Sequence, residues 1–121
     1  MDNKEFESLY NHLSDLSRST LITKAKEYVR DGDRLHNFHR ASEMDRISSA
    51  RALKGMWNKH IVSICDIVDD VDNGKKVDLS LAQEKILDTI NYAFLFWAIL
   101  NEENTKTKDK INESHSDMPT G

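Results

Sequence analysis

Apolar residues recur along the chain at intervals of three and four, the spacing that lines one face of an α-helix. In the first such stretch Phe6, Leu9, Tyr10, Leu13 and Leu16 share a face, and Asp2 with Glu5 supplies a D-x-x-E helix start. The pattern predicts a helix over residues 2–29. Ser17, Ser19 and Thr20 are weak helix formers and leave a break or kink open in its middle. RDGD (30–33) reads as a turn with Gly32 as the breaker. A short helix comes next over 34–44, with Leu35 and Phe38 on one side. Ser48 or Ser49 then caps a long helix reaching residue 71, whose stripe is Leu53, Trp57, Ile61, Ile64 and Val68. DNGKKVD (72–78) makes a helix–helix connection, because the strand alternation that would turn Asn73-Gly74 into a hairpin is missing on both sides. Ser80 and Gln83 form a capping box for a last helix running to residue 103. Residues 104–121 are polar apart from Ile111 and Met118, too little apolar surface to offset the entropy of ordering, which predicts a disordered tail. The expectation is an all-α protein with one domain over 1–103, a compact bundle of three long helices and one short helix.

Composition agrees with that architecture and narrows the function classes. Four glycines and one proline, Pro119, in 121 residues leave the few breaks that long helices tolerate. A formal net charge of −4 argues against a general nucleic-acid binder, which needs a basic surplus to displace counterions from phosphates. Cys65 is the only cysteine, so no intrachain disulfide can form, and a reducing, cytoplasmic setting is the expectation. The N-terminal MDNKEFES is polar and charged, unlike a secretion signal. The longest apolar run, 93–100, falls short of the roughly 20 residues that span a bilayer, so no membrane association is expected and the run should be buried in protein.

The last helix carries the leading candidate chemistry. At about 100° per residue, Ile86, Ile90, Ala93, Trp97 and Leu100 share one face, and Glu84, Asp88 and Asn91 share the opposite one. A polar stripe of this kind is as readily a solvated face as a site. Here Leu95 and Ala98 prolong the stripe, while Leu87, Tyr92 and Phe94 border it. That favours a stripe facing a second layer of protein, a helix or another subunit, where carboxylates need a cation or a hydrogen-bond partner. Oxygen ligands one turn apart suit Mg2+ or Mn2+ with phosphate and water as co-ligands. The second half of this helix is apolar all round, more than a small monomer needs to bury, which favours a homodimer.

Elsewhere each feature carries a structural and a functional reading. If the first helix is unbroken, its core face turns polar at Thr20, Lys24, Glu27 and Tyr28; if it bends, these residues are exposed. His60 lies on the apolar side of the long helix near Trp57 and Ile64, more often the position of a satisfied core histidine than of a ligand. Asp66, Asp69, Asp70 and Asp72 crowd a helix C-terminus against its dipole, a cost that solvent screens and a cation would relieve. Arg30, Arg34, His36, His39 and Arg40 gather beside Asp33 and Asn37, either as a solvated surface or as a phosphate site. Cys65 has no catalytic neighbourhood, and there is neither a glycine-rich phosphate loop nor a C-x-x-C zinc pattern.

Taken together, KAKEY (24–28), Asp33-Arg34 with Asn37-Phe38, Lys59-His60 with Asp66, and EKILD (84–88) with Asn91-Tyr92 form a pattern. It resembles the all-α nucleoside triphosphate pyrophosphohydrolases, the MazG-like and dimeric dUTPase superfamily, and within it small phage proteins of the nucleotide modification associated type. The likeness covers residues 5–101 at scattered positions. It implies a Mg2+-dependent hydrolase, with Mn2+ as the substitute, or a nucleotide-binding relative. Glu84 and Asp88 would then bind metal and serve catalysis, with Asp66 or Glu27 completing the shell. Lys24, Arg34, Arg40 and His60 would contact phosphates, and Asn37 or Asn91 would read sugar or base. Water attacking a nucleoside triphosphate polarised by the metal would release pyrophosphate. Two departures stand out. Glu84 and Asp88 are four apart where the family's ExxD has three, and DIVD (66–69) stands where its ExxE would. The rival reading is a non-catalytic helical adaptor or inhibitor that binds a partner protein, with the tail as a tether. DNA contact through residues 30–40 is a third.

Overall fold

The structure, a computed structural model, describes the backbone of residues 1–116 and the side chains of residues 1–107. Four α-helices form it: α1 Asn3–Arg18, α2 His36–Asp45, α3 Ser49–Asp72 and α4 Leu79–Ser116. Among the described residues the β structure amounts to one isolated bridge between Arg30 and Asp33, so the fold is all-α, as the periodicity predicts.

Three of the four helix starts, those of α1, α3 and α4, have a local side-chain cause. The Asp2 carboxylate accepts the Glu5 amide at 2.8 Å while the Asp2 amide donates to the Glu5 carboxylate at 3.3 Å, the reciprocal box expected there. Ser48 Oγ accepts the amide of Arg51 at 3.0 Å, which singles it out from Ser49 as the cap of α3. The start of α4 corrects the expected Ser80–Gln83 box. The Asp78 carboxylate accepts the amides of Ser80 at 2.9 Å and Leu81 at 3.3 Å. A carboxylate prevails over a hydroxyl because one oxygen serves two amides and its charge complements the helix N-terminus. At the other end of the connection Gly74 takes φ 71°. That left-handed step lets the amides of Gly74 and Lys75 reach the carbonyls of Val71 and Asp70 at 3.1 and 2.9 Å.

The first helix does break. After Arg18 the chain passes through a π-turn, Ser19–Thr23, and a 3-10 turn, Ala25–Glu27. Thr20 Oγ1 donates to the Leu16 carbonyl at 3.2 Å, the back-bonding that bends helices. The extra residue in the turn rotates the chain beyond it off the α1 face, and Lys24 and Glu27 are exposed while Thr20 stays half-buried.

α3 and α4 pack antiparallel, with Trp57 against Phe96 (ring centres 6.2 Å apart) and His60 against Tyr92 (4.9 Å). α2 packs on α3 and brings Leu35 and Phe38 against Leu53 and Ile99 to form the core. Toward the far end of α3 the buried stripe drifts by one residue, so Ile67 is half-buried and the predicted Val68 is exposed. A 3.6-residue period does not keep step with a seven-residue repeat. α1 lies along α4, tied to it by Ser17–Asn91 and His12–Gln83 hydrogen bonds of 2.7 and 3.1 Å.

α4 keeps its helical backbone to Ser116, past the expected end at residue 103. Adding residues to an existing helix costs far less than nucleating one, and Lys106 pairs with Glu102 and Glu103 one turn back at 3.5 and 3.7 Å. Of the stretch expected as a tail, 104–116 carries helical backbone and 117–121 lies outside the described residues. Among the described residues no helix is long and apolar enough to cross a membrane.

Candidate functional site

α4 turns its polar seam toward the rest of the chain. Asn91 is only 6% exposed, whereas Trp97 on the opposite face is 66% exposed. The burial is possible because the neighbouring helices answer the polar groups. Ser17 of α1 donates to Asn91 Oδ1 at 2.7 Å, and His60 Nδ1 of α3 lies 3.6 Å from Asp88 Oδ2. Ser17 fills one acceptor position of Oδ1, and Asn91 keeps its Nδ2 donor for a ligand.

Asp88 and Asn91 line a cavity of about 190 Å3 together with Arg34, Asn37, Tyr28 and Tyr92. The break after α1 is what builds it, because the chain leaving the π-turn brings Tyr28 and then Arg34 alongside α4. The Arg34 guanidinium sits 5.5 Å from the centre of the Tyr28 ring, a cation–π contact that holds the charge over the aromatic face. Burial, joined by the negative charge of Asp88 and by Tyr28, pushes the Tyr92 phenol above its usual range and keeps it a neutral hydrogen-bonding group. The cavity therefore combines one cation, two side-chain amides, one carboxylate and three aromatic rings, those of Tyr28, Phe38 and Tyr92. Such a mixed lining suits a small polar molecule that carries both a ring and negative charge.

The remaining sequence-predicted residues fall elsewhere. His60 stands beside Asp88, half-buried against Tyr92. Glu84 continues the α4 seam toward its N-terminus but is exposed, as are Asp66 on α3 and Lys24 and Glu27 after the π-turn. Arg40 is bonded to Glu43 at 3.2 Å and lines a separate polar hollow of about 600 Å3. Among the described residues, Glu84, Asp88, Asp66 and Glu27 are not brought within the spacing of ligands to one ion; the one group that is comprises Asp33, His39 and Glu102.

In that group His39 Nδ1 lies 2.6 Å from Asp33 Oδ2, and Nε2 lies 2.5 Å from Glu102 Oε1. Burial opposes the charged imidazole, but the bond to Asp33 and the charges of Glu102 and Asp33 outweigh it and hold His39 above its usual range. Burial likewise works against the Asp33 carboxylate, yet the bonds from His39 and the Leu35 amide bring it below its usual range. A carboxylate beside each ring nitrogen favours the charged imidazole, and the group acts as a clamp. It fastens the 30–33 turn and α2 to α4. The sequence pattern placed Asp33 and His39 in the basic cluster but left Glu102 out. The signal was present: the steps 84, 88, 91, 95, 98 lead next to 102, on the same inward face.

No family model, no curated protein and no solved structure matches the chain.

Proposed function

We propose that the protein binds a nucleotide in the cavity beside Asp88 and Asn91, as a homodimer, and that Mg2+ would be its cofactor. The observation that carries this reading is that Arg34, Asn37, Asp88 and Asn91, taken from separate stretches of the sequence, line a single cavity with Tyr28 and Tyr92. Arg34 supplies a phosphate partner, the amides of Asn37 and Asn91 supply base- or sugar-directed hydrogen bonds, and a tyrosine ring supplies a stacking face. The cavity of about 190 Å3 suits one portion of a nucleotide. Mg2+ is commonly held by one or two carboxylates with phosphate oxygens and water filling the shell. Asp88, which lines the cavity, would supply one such carboxylate. Release of pyrophosphate from a nucleoside triphosphate is the activity this arrangement would serve.

The test is a thermal-shift screen of deoxynucleoside triphosphates with millimolar Mg2+, paired with a pyrophosphate-release assay. A nucleotide that raises Tm in the wild type, with the effect lost in Arg34→Ala and Asp88→Asn, supports the reading. A flat response to every nucleotide overturns it. The alternative, a helical adaptor or inhibitor, draws on the exposed apolar residues of α1 and α4. A flat nucleotide screen together with a stable complex with another protein would favour it.

A further inference from the structure

The outward face of α4 presents a run of large apolar side chains that the described residues leave uncovered. Ile86 is 40% exposed, Phe94 55%, Trp97 66% and Leu100 43%, and Ala93 between them is exposed as well. Their order is not that of scattered surface residues. Ile86, Ile90, Ala93, Trp97 and Leu100 succeed one another at steps of four, three, four and three, the a/d spacing of a coiled-coil seam. The next step of four falls on Asn104, which is exposed on the same helix. The end of α1 nearest the N-terminus adds Phe6, Leu9 and Tyr10, exposed by 62%, 55% and 63%. Between the two helices runs an open apolar groove of about 770 Å3 bordered by Phe6, Leu9, Ile90 and Phe94.

We infer that this face is the interface with a second copy of the chain, with the two α4 helices side by side, parallel and in register along the Ile86–Asn104 seam. The inference rests on the homodimer of the proposed function and not on its nucleotide, and it gives that dimer an interface. Three observations select a second copy as the occupant. A heptad seam is complementary to itself, so two identical helices related by a two-fold axis match residue for residue. The exposed side chains of α4 and α1 named here amount to on the order of 1,000 Å2, against roughly 800 Å2 per partner in a stable protein–protein interface. The seam also carries no charge from Ile86 to Asn104, so the like net charge of two copies is kept away from the contact.

The polar member fixes the direction. Asn104 occupies the register of Ile90 and Trp97, where asparagine pairs with its own copy across a parallel dimer. In an antiparallel pair centred on Ala93 the two Asn104 positions would stand roughly 30 Å apart. Ala93, the smallest residue of the seam, lets the helices approach closely where Trp97 needs room.

Light scattering of the full chain at about ten micromolar gives a dimer mass if the inference holds, and a monomer overturns it. The double variant Ala93→Glu/Trp97→Glu is expected to be monomeric with unchanged far-ultraviolet circular dichroism, since both positions are exposed within the chain. A variant that stays dimeric moves the interface elsewhere and overturns the seam. Because a charged variant can fail for other reasons, direction is read separately. In a Cys65→Ser background, Asn104→Cys is expected to form a disulfide-linked dimer under mild oxidation. Absence of that link with the dimer intact overturns the parallel register. Nucleotide binding is scored by the thermal-shift screen, so failure there leaves these readouts unaffected.

Discussion

The two long faces of α4 come from the same stretch of chain and meet opposite fates. The inward face steps through Glu84, Asp88, Asn91, Leu95, Ala98 and Glu102; the outward face steps through Ile86, Ile90, Ala93, Trp97 and Leu100. Hydropathy alone would bury the second and wet the first. In the fold Asn91 is buried and Trp97 is exposed. The difference lies in what the neighbours supply. Ser17 answers Asn91, His60 approaches Asp88 and His39 meets Glu102. Side chains from three other elements thus make the polar face an acceptable inner surface, while the apolar face needs no specific partner and is left uncovered by the described residues.

Three measurements break or sharpen this comparison, beginning with the largest effect. Ile99, 1% exposed and at the inner edge of α4, should cost about 2–5 kcal/mol when cut to alanine, read from urea unfolding. Glu84→Gln, on the inward seam but exposed, should stay within about 0.5 kcal/mol of wild type. Equal losses would mean that the inward face is uniformly buried and the account of Glu84 is wrong.

Next, Ser17→Ala leaves Asn91 Oδ1 without its hydroxyl donor and should destabilise by about 1–3 kcal/mol. Ser17→Ala combined with Asn91→Leu, which removes both polar partners, should recover most of that loss while weakening the nucleotide response. A double variant no more stable than Ser17→Ala would show that the hydrogen bond is not what makes the polar face acceptable inside.

The smallest effect is a pH dependence confined to the inward face. His39 is raised, so its contribution is complete below the unfolded imidazole range and is lost as pH rises through the folded value. Asp33 is lowered, so its contribution is lost as pH falls through its folded value. The clamp is therefore strongest between roughly pH 4 and 6.5. Urea midpoints should fall from pH 6 to pH 8.5 in the wild type, and His39→Gln should flatten that slope. Trp97→Glu should leave the slope in place, and a slope abolished by Trp97→Glu would assign the pH response to the wrong face.

Much of this structure was legible from residues close together in the chain. The Asp2–Glu5 box, the Ser48 cap, the Gly74 turn and the weak stretch at Ser17–Thr20 all act within about one helical turn, which local sequence can weigh. The Ser80 box failed on the same scale, because Asp78 two residues before it is the stronger acceptor. At the candidate site, local spacing identified Asp88 and Asn91 as a stripe facing protein, and Arg34 and Asn37 as a polar cluster. It did not reveal that Tyr28 and Arg34 return to α4 after the π-turn, nor that His39 reaches across to Glu102. Those contacts join residues more than fifty positions apart.

The chain by itself determined where helices begin and turn, and that α4 has two unlike faces, because capping and 3.6-residue periodicity depend only on nearby residues. The tertiary structure alone decided which partners answer the polar face. That choice depends on which hydroxyl, imidazole or guanidinium the other helices bring within hydrogen-bonding reach, and burial is stable only where such a partner arrives.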